Sequence, residues 1–175
     1  STYNGSSTII YNGSTSSVVK VVNKNKAFVW GLSGAFAGDI NDNFSFSTVL
    51  NYTYGRIKES PSNYPLDHIA PVFGRTSFFT RFGNFKGEIF ALYNAKKGSS
   101  NYNLRGEDNQ LYSADPKNGY TPGWLTANIR ASYTINKYAT VQLALENIFD
   151  KYYRVFASGL SAPGRNFVVA LRGNL

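Results

Sequence analysis

Between Leu125 and Ile135 the chain alternates without a break, with Leu125, Ala127, Ile129, Ala131, Tyr133 and Ile135 interleaved with Thr126, Asn128, Arg130, Ser132 and Thr134. A period of two puts the first set on one face of a β-strand and the second on the other. The stretch is also longer than the 5–6 residues typical of a soluble strand. The pattern recurs in "FSFSTVLNYTY", where Phe44, Phe46, Leu50, Tyr52 and Tyr54 oppose Ser45, Ser47, Asn51 and Thr53. It recurs again where Val141, Leu143 and Leu145 oppose Gln142, Ala144 and Glu146. A last strand sets Phe167, Val169, Leu171 and Leu175 against Asn166 and Arg172. Three other stretches, "VVKVVNKNKAFVWGLSGAFAG", "VFGRTSFFTRF" and "FKGEIFALYNAKK", are long enough for strands but alternate less cleanly.

The connections divide into two kinds. Brief Asn/Gly turns are expected at 40–43, 83–84 and 136–137, which is hairpin chemistry. Long links rich in Ser, Asn, Gly, Pro and charge are expected at about 59–70, 98–122 and 152–164. Because the two kinds alternate along the chain, all long links fall at one end of the strands.

Composition narrows the fold class further. Thirteen Tyr, thirteen Phe and sixteen Gly beside no Cys and no Met favour strands and turns. No window approaches the roughly 18 consecutive apolar residues of a spanning helix. The mean hydropathy of −0.28 is compatible with spanning strands, since each of these is apolar on only one side. Without cysteine there is no disulfide framework and no thiolate metal site. The chain opens on no leader-like segment and reads as a mature product or a piece of something longer. Its first stretch, "STYNGSSTIIYNGSTSS", offers no clean strand.

Long strands, one-sided long loops and polar opposite faces are what a transmembrane antiparallel β-barrel of the bacterial outer membrane requires. Hydrocarbon offers no hydrogen-bond partner, so every backbone group must be paired within a closed sheet. Tyr11, Tyr52, Tyr54, Tyr93, Trp124 and Tyr152 stand towards strand ends, where interfacial aromatic girdles lie. The alternative is a soluble sandwich or lipocalin-like barrel with its apolar faces turned inward. Short turns belong on the periplasmic side of such barrels, which predicts a periplasmic C-terminus.

The stretch "ENIFDKYYR…GRNFVVAL" at 146–171 resembles the closing signature of TonB-dependent outer-membrane receptors, and "NKAFVWGLSG", "FSFSTVLNYTYG" and "HIAPVFGRTSF" resemble earlier strands of those barrels in the expected order. The chain departs from the usual pattern in ending on Leu175 rather than an aromatic. The resemblance implies an all-β fold, about the last eight strands of a 22-stranded receptor barrel. It further implies a plug and a TonB-contacting segment carried by the remainder of the receptor, and a scarce, bulky cargo such as siderophore-iron, haem or cobalamin. The competing reading is a self-contained eight-stranded barrel acting as an adhesin or structural anchor, which would need its first strand to pair with its last.

Residues take expected roles within that reading. Arg75, Arg81, Arg130 and Glu146 stand on the polar phases, where they would face a plug or a wet lumen, or pair with one another. The long loops would carry ligand recognition, with Tyr102, Arg105, Tyr112 and Tyr120 in one and Tyr153, Arg154 and Phe156 in another. Aromatic and basic groups together suit a large flat or anionic ligand; solvated loop charge is the plainer alternative. The lone His68 invites comparison with a haem ligand, but a single imidazole near a loop-to-strand junction reads more readily as structural. The Asp residues lack the ligand spacing of a calcium loop.

No nucleophile with an evident base, zinc spacing or phosphate-binding glycine loop occurs, so neither an enzyme nor a bound cofactor is expected. The carboxylate pairs Asp39 with Asp42 and Glu107 with Asp108 read as solvated turn residues. The net charge of +8 is spread along the chain without a basic cluster, which argues against nucleic acid and for pairing with lipopolysaccharide phosphates near the outer rim.

Overall fold

A computed structural model describes residues 3–19, 26–59, 61–103, 120–156, 158 and 160–173. Twelve strands follow in chain order: β1 (Thr8–Tyr11), β2 (Ser14–Ser17), β3 (Lys26–Asn41), β4 (Phe44–Lys58), β5 (Tyr64–Pro65), β6 (Phe73–Phe82), β7 (Phe85–Asn94), β8 (Lys97–Gly98), β9 (Tyr120–Thr121), β10 (Trp124–Asn136), β11 (Ala139–Glu146) and β12 (Asn166–Gly173). Seven long strands form one antiparallel sheet in the order β12-β11-β10-β7-β6-β4-β3, with β5 joined to β4. The path has two ends, β3 and β12, which do not pair with each other. The self-contained closed barrel needed that pairing, so the described residues do not form one.

The sheet is inside out relative to a soluble domain. Cross-strand partners share a face, and one row of partners runs Phe46, Phe78, Ile89, Ile129, Leu145 and Phe167. That outer face carries Leu32, Phe36, Leu143, Val169 and Leu171, all exposed, Leu171 by 76%. The opposite, inner face hides polar groups, among them Ser77, Asn128 and Thr126, the last only 1% exposed. A soluble sandwich would bury the first set and wet the second. This polarity therefore fits an apolar solvent outside and a polar interior.

The three tight turns lie at one end of the sheet and are built by two devices. Asn41 Oδ1 accepts the Asn43 and Phe44 amides at 2.9 and 3.0 Å, and Asn136 Oδ1 accepts the Tyr138 amide at 2.8 Å. Each of these asparagines follows a register shift in its strand, so the β10–β11 turn falls on Lys137 and Tyr138, one residue later than the sequence predicts. The β6–β7 turn uses Gly83 at a left-handed φ of 53°. Asp39, expected in a turn, is instead a residue of β3 paired with Ser45.

The opening segment, expected to be strandless, forms the β1–β2 hairpin. Its sequence "YNGS" occurs twice, at Tyr3–Ser6 and Tyr11–Ser14, and each copy closes a two-residue turn. Asn4 and Gly5 take φ of 49° and 82°, Asn12 and Gly13 49° and 79°. Positive φ at both central positions is what Asn-Gly tolerates and β-branched residues do not.

Aromatic side chains gather near both ends of the outer face. Towards the long connections Trp30 packs on Tyr52 and Tyr54, with ring centroids 5.4 and 5.8 Å apart. Towards the tight turns Phe44 meets Phe82 at 5.6 Å and Phe36 meets Phe46 at 5.4 Å. Trp124 is a correction: its register partner is Asn94, on the inner phase, so it is no part of the outer girdle.

Candidate functional site

The inner face of the sheet carries a row of charge built from four adjacent strands. Glu88 on β7 accepts Arg75 Nη2 from β6, and its second oxygen lies 3.7 Å from Arg130 Nη1 on β10. Arg130 Nη2 lies 3.7 Å from Glu146 on β11. Beneath the two guanidiniums is the ring of Phe90, whose centroid is 4.0 Å from Arg75 Cζ and 5.4 Å from Arg130 Cζ. The row satisfies itself: two cations and two carboxylates alternate, and the two guanidiniums cover a phenylalanine that the polar face would otherwise wet. Arg75, Arg130 and Glu146 are thus brought together. Arg81 shares their face but pairs in register with Lys86 near the tight turns. Its neighbourhood also holds Asp39, Asp42 and Lys86 around an open cavity of about 530 Å³.

Sequence reasoning missed Glu88, the carboxylate at the centre of this row and the least exposed of its charges, at 12%. Its signal was present: in "FKGEIFALYN" the residues Lys86, Glu88, Phe90 and Leu92 keep one phase, and the apolar Phe90 and Leu92 disguised it as a mixed strand.

At the other end, the closing signature proves to be an anchor for the β11–β12 connection. Asn147, at a φ of 48°, gives its amide to Asn128 Oδ1 at 2.9 Å, accepts the Lys151 amide at 2.8 Å and donates Nδ2 to the Lys151 carbonyl at 2.9 Å. Asp150 Oδ1 accepts the Arg165 amide at 2.8 Å, and Arg165 Nε donates to the Ile148 carbonyl at 2.9 Å. Gly164 is required because an added Cβ would stand 2.5 Å from Asp150 Oδ1.

The candidate ligand residues are distributed among the long connections. Tyr153 stacks on Trp124 at 4.3 Å between centroids. Burial, with the Glu146 carboxylate, pushes the Tyr153 phenol up from its usual value. The neighbouring Tyr152 is exposed, and the Ser161 hydroxyl that donates to it at 2.7 Å, aided by Arg154, draws its phenol down. Tyr102 is 3% exposed, with its hydroxyl bonded to Thr121 and Lys97 Nζ 4.9 Å from its ring, so it supports the connections from beneath. Lys97 Nζ also lies 4.5 Å from the Phe156 ring. His68 is exposed at a left-handed φ of 61°, a turn position. Arg105, Tyr112, Glu107 and Asp108 lie outside the described residues, as does the side chain of Tyr120 and the whole of Leu175. Among the described residues no cluster of three or more His, Asp and Glu assembles that could hold a metal ion.

A family model described as TonB dependent receptor-like, beta-barrel matches residues 2–148. The chain belongs to the TonB-dependent receptor barrel family. Its members are transport receptors of the outer membrane and not enzymes. No curated protein matches the chain in sequence. Among solved structures it is similar to a copper transporter, OprC, at 18% identity and a TM-score of 0.68, over 85% of this chain and 23% of that one. A ferric enterobactin receptor mutant of Pseudomonas aeruginosa in complex with enterobactin aligns at 16% identity and a TM-score of 0.62, over 84% of this chain and 22% of that one. The siderophore receptor PiuA of Acinetobacter baumannii aligns at 18% and 0.56, over 84% and 22%. The chain thus spans less than a quarter of the length of these TonB-dependent transporters, and its two sheet ends are the edges of a partial barrel.

Proposed function

We propose that this chain is the C-terminal portion of an outer-membrane receptor that imports a scarce, bulky metal chelate, with siderophore-bound iron the favoured cargo over haem and cobalamin. The observation that carries the reading is the inside-out sheet with all its long connections at one end. Siderophore receptors and a copper transporter among the similar structures support a metal-containing cargo. In this reading the long connections face outward and β12 runs to a periplasmic C-terminus. The row of Arg75, Glu88, Arg130 and Glu146, with Arg81 below it, faces the plug supplied by the remainder of the receptor, whose missing N-terminal part contacts the TonB complex. Cations near the outer rim meet lipopolysaccharide phosphates. Tyr153, Arg154 and Phe156 contribute to cargo contact from the β11–β12 connection, with Arg105, Tyr112 and Tyr120 in the neighbouring loop; Tyr102 and His68 serve their loops.

The test is uptake of radiolabelled iron, supplied as a panel of siderophores, by cells producing the whole receptor. Uptake of one chelate that needs both the receptor and intact TonB, and that falls in the Tyr153→Ala/Arg154→Ala variant, is the expected result. Uptake indifferent to the receptor for every siderophore, with haem or cobalamin uptake dependent on it, would overturn the choice of cargo.

A further inference from the structure

Lys97 is a cation held almost out of water, 4% exposed, in a segment where its neighbour Lys96 is exposed. Among the described residues its surroundings come from three separate connections. The Ile69 carbonyl, in the β4–β6 connection, accepts its Nζ at 2.9 Å. The Tyr102 ring, in the β7–β10 connection, lies 4.9 Å away. The Phe156 ring, in the β11–β12 connection, lies 4.5 Å away. An ammonium is a compact point charge with three donors and can satisfy partners in several directions at once, and an aromatic face attracts it most strongly where water is scarce. Nearby, Asn103 Nδ2 donates to Asp67 at 3.0 Å and Arg56 to Asn101 at 2.9 Å, joining the first two connections again. The third is joined to the other two through Phe156 over Lys97, while Trp124 beneath Tyr153 ties its base to β10.

We infer that Lys97 is a positioning residue that fastens the three long connections into one recognition surface, so that contact made by cargo on any of them is felt by all. Among the described residues the ion has in place of water a carbonyl and two ring faces from different loops. None of these can move away without exposing a charge to fewer partners than it has in place. The inference rests on the reading of the long connections as the cargo side, but its test needs no cargo and fails or succeeds separately from it.

The test is amide hydrogen exchange by mass spectrometry on the whole receptor in detergent. Lys97→Met keeps the length of the side chain and removes the charge. Exchange is expected to accelerate by about tenfold in 66–72, 97–103 and 152–156 together, the factor that loss of one charge-assisted hydrogen bond corresponds to, while β6, β7 and β10 stay protected. Acceleration confined to 97–103, or none, overturns the proposal. Phe156→Leu provides a second arm if Lys97→Met does not assemble: it removes one loop's ring and leaves the Ile69 contact. Exchange should then rise most in 152–156. Unchanged exchange there would mean that the ammonium does not hold this loop, and Lys97 would lose the role.

Discussion

Asp150 Oδ1 holds the Arg165 amide at 2.8 Å across the whole β11–β12 connection. One carboxylate thereby fixes where the chain leaves β11 and where it enters β12. Removing it by Asp150→Ala is expected to lower stability by about 0.5–1.5 kcal/mol, the net worth of a hydrogen bond whose freed amide water can reach. Gly164→Ala should also destabilise, since the new methyl would meet the same oxygen. The double variant should cost less than the sum of the two, because the clash disappears with the carboxylate. Urea midpoints of the whole receptor check this; simple additivity would mean that the two residues do not share one site.

The inner charge row has a centre and an end. Glu88→Gln leaves two guanidiniums without their shared carboxylate in a half-dry setting and should cost about 1–3 kcal/mol. Glu146 is 40% exposed, and Glu146→Gln should cost at most about 1 kcal/mol, as for exposed pairs. The reverse order would place the weight of the row at β11 instead of β7.

Face assignment predicts a large asymmetry for one kind of substitution. Ile129→Arg places a charge on the apolar outer face and should cost roughly 2–4 kcal/mol for folding into phospholipid vesicles if it lies near mid-bilayer. Ser132→Arg, on the opposite face of the same strand, should stay within about 1 kcal/mol. Equal penalties would refute the inside-out polarity.

Adjacent phenols are expected to titrate in opposite directions. Tyr153 should ionise above the ordinary phenol value because of burial and Glu146, and Tyr152 below it because of the Ser161 hydroxyl. For Tyr153 the folded state holds the proton more tightly than the unfolded chain does. Its contribution to stability is therefore complete below the ordinary phenol value and is lost as pH rises through the raised one. Ultraviolet titration of Tyr152→Phe and Tyr153→Phe against the parent receptor separates the two. A missing transition of the same midpoint in both variants would contradict the assignment.

Where residues of one size class alternate, the sequence was legible: β10, β4, β11 and the start of β12 have the faces their patterns predict. The blurred strands were blurred for physical reasons. In β3 the outer phase includes Gly34 and Gly38, opposite Leu50 and Phe46; the Phe46 ring of β4 covers Gly38, while the position beside Gly34 stays open. In β7 an inner Phe90 is apolar because two arginines cover it. Neither arrangement can be read along one strand, since both depend on what the adjoining strand supplies. Trp124 was misassigned for a related reason: an aromatic at a strand end belongs to a girdle only if its phase faces outward. The role of "NIFD" as a clamp likewise depends on partners as distant as Arg165.

As an electric object the row Arg75, Glu88, Arg130, Glu146 alternates in sign and sums to zero. Its far field cancels, while within a side chain's length the field stays strong and reverses from one strand to the next. A charged group approaching the row would feel little attraction or repulsion from these four side chains until almost touching them, and would then meet the opposite sign one strand further on. The row is neutral at a distance and discriminates only among surfaces that lie flat against it with matching spacing.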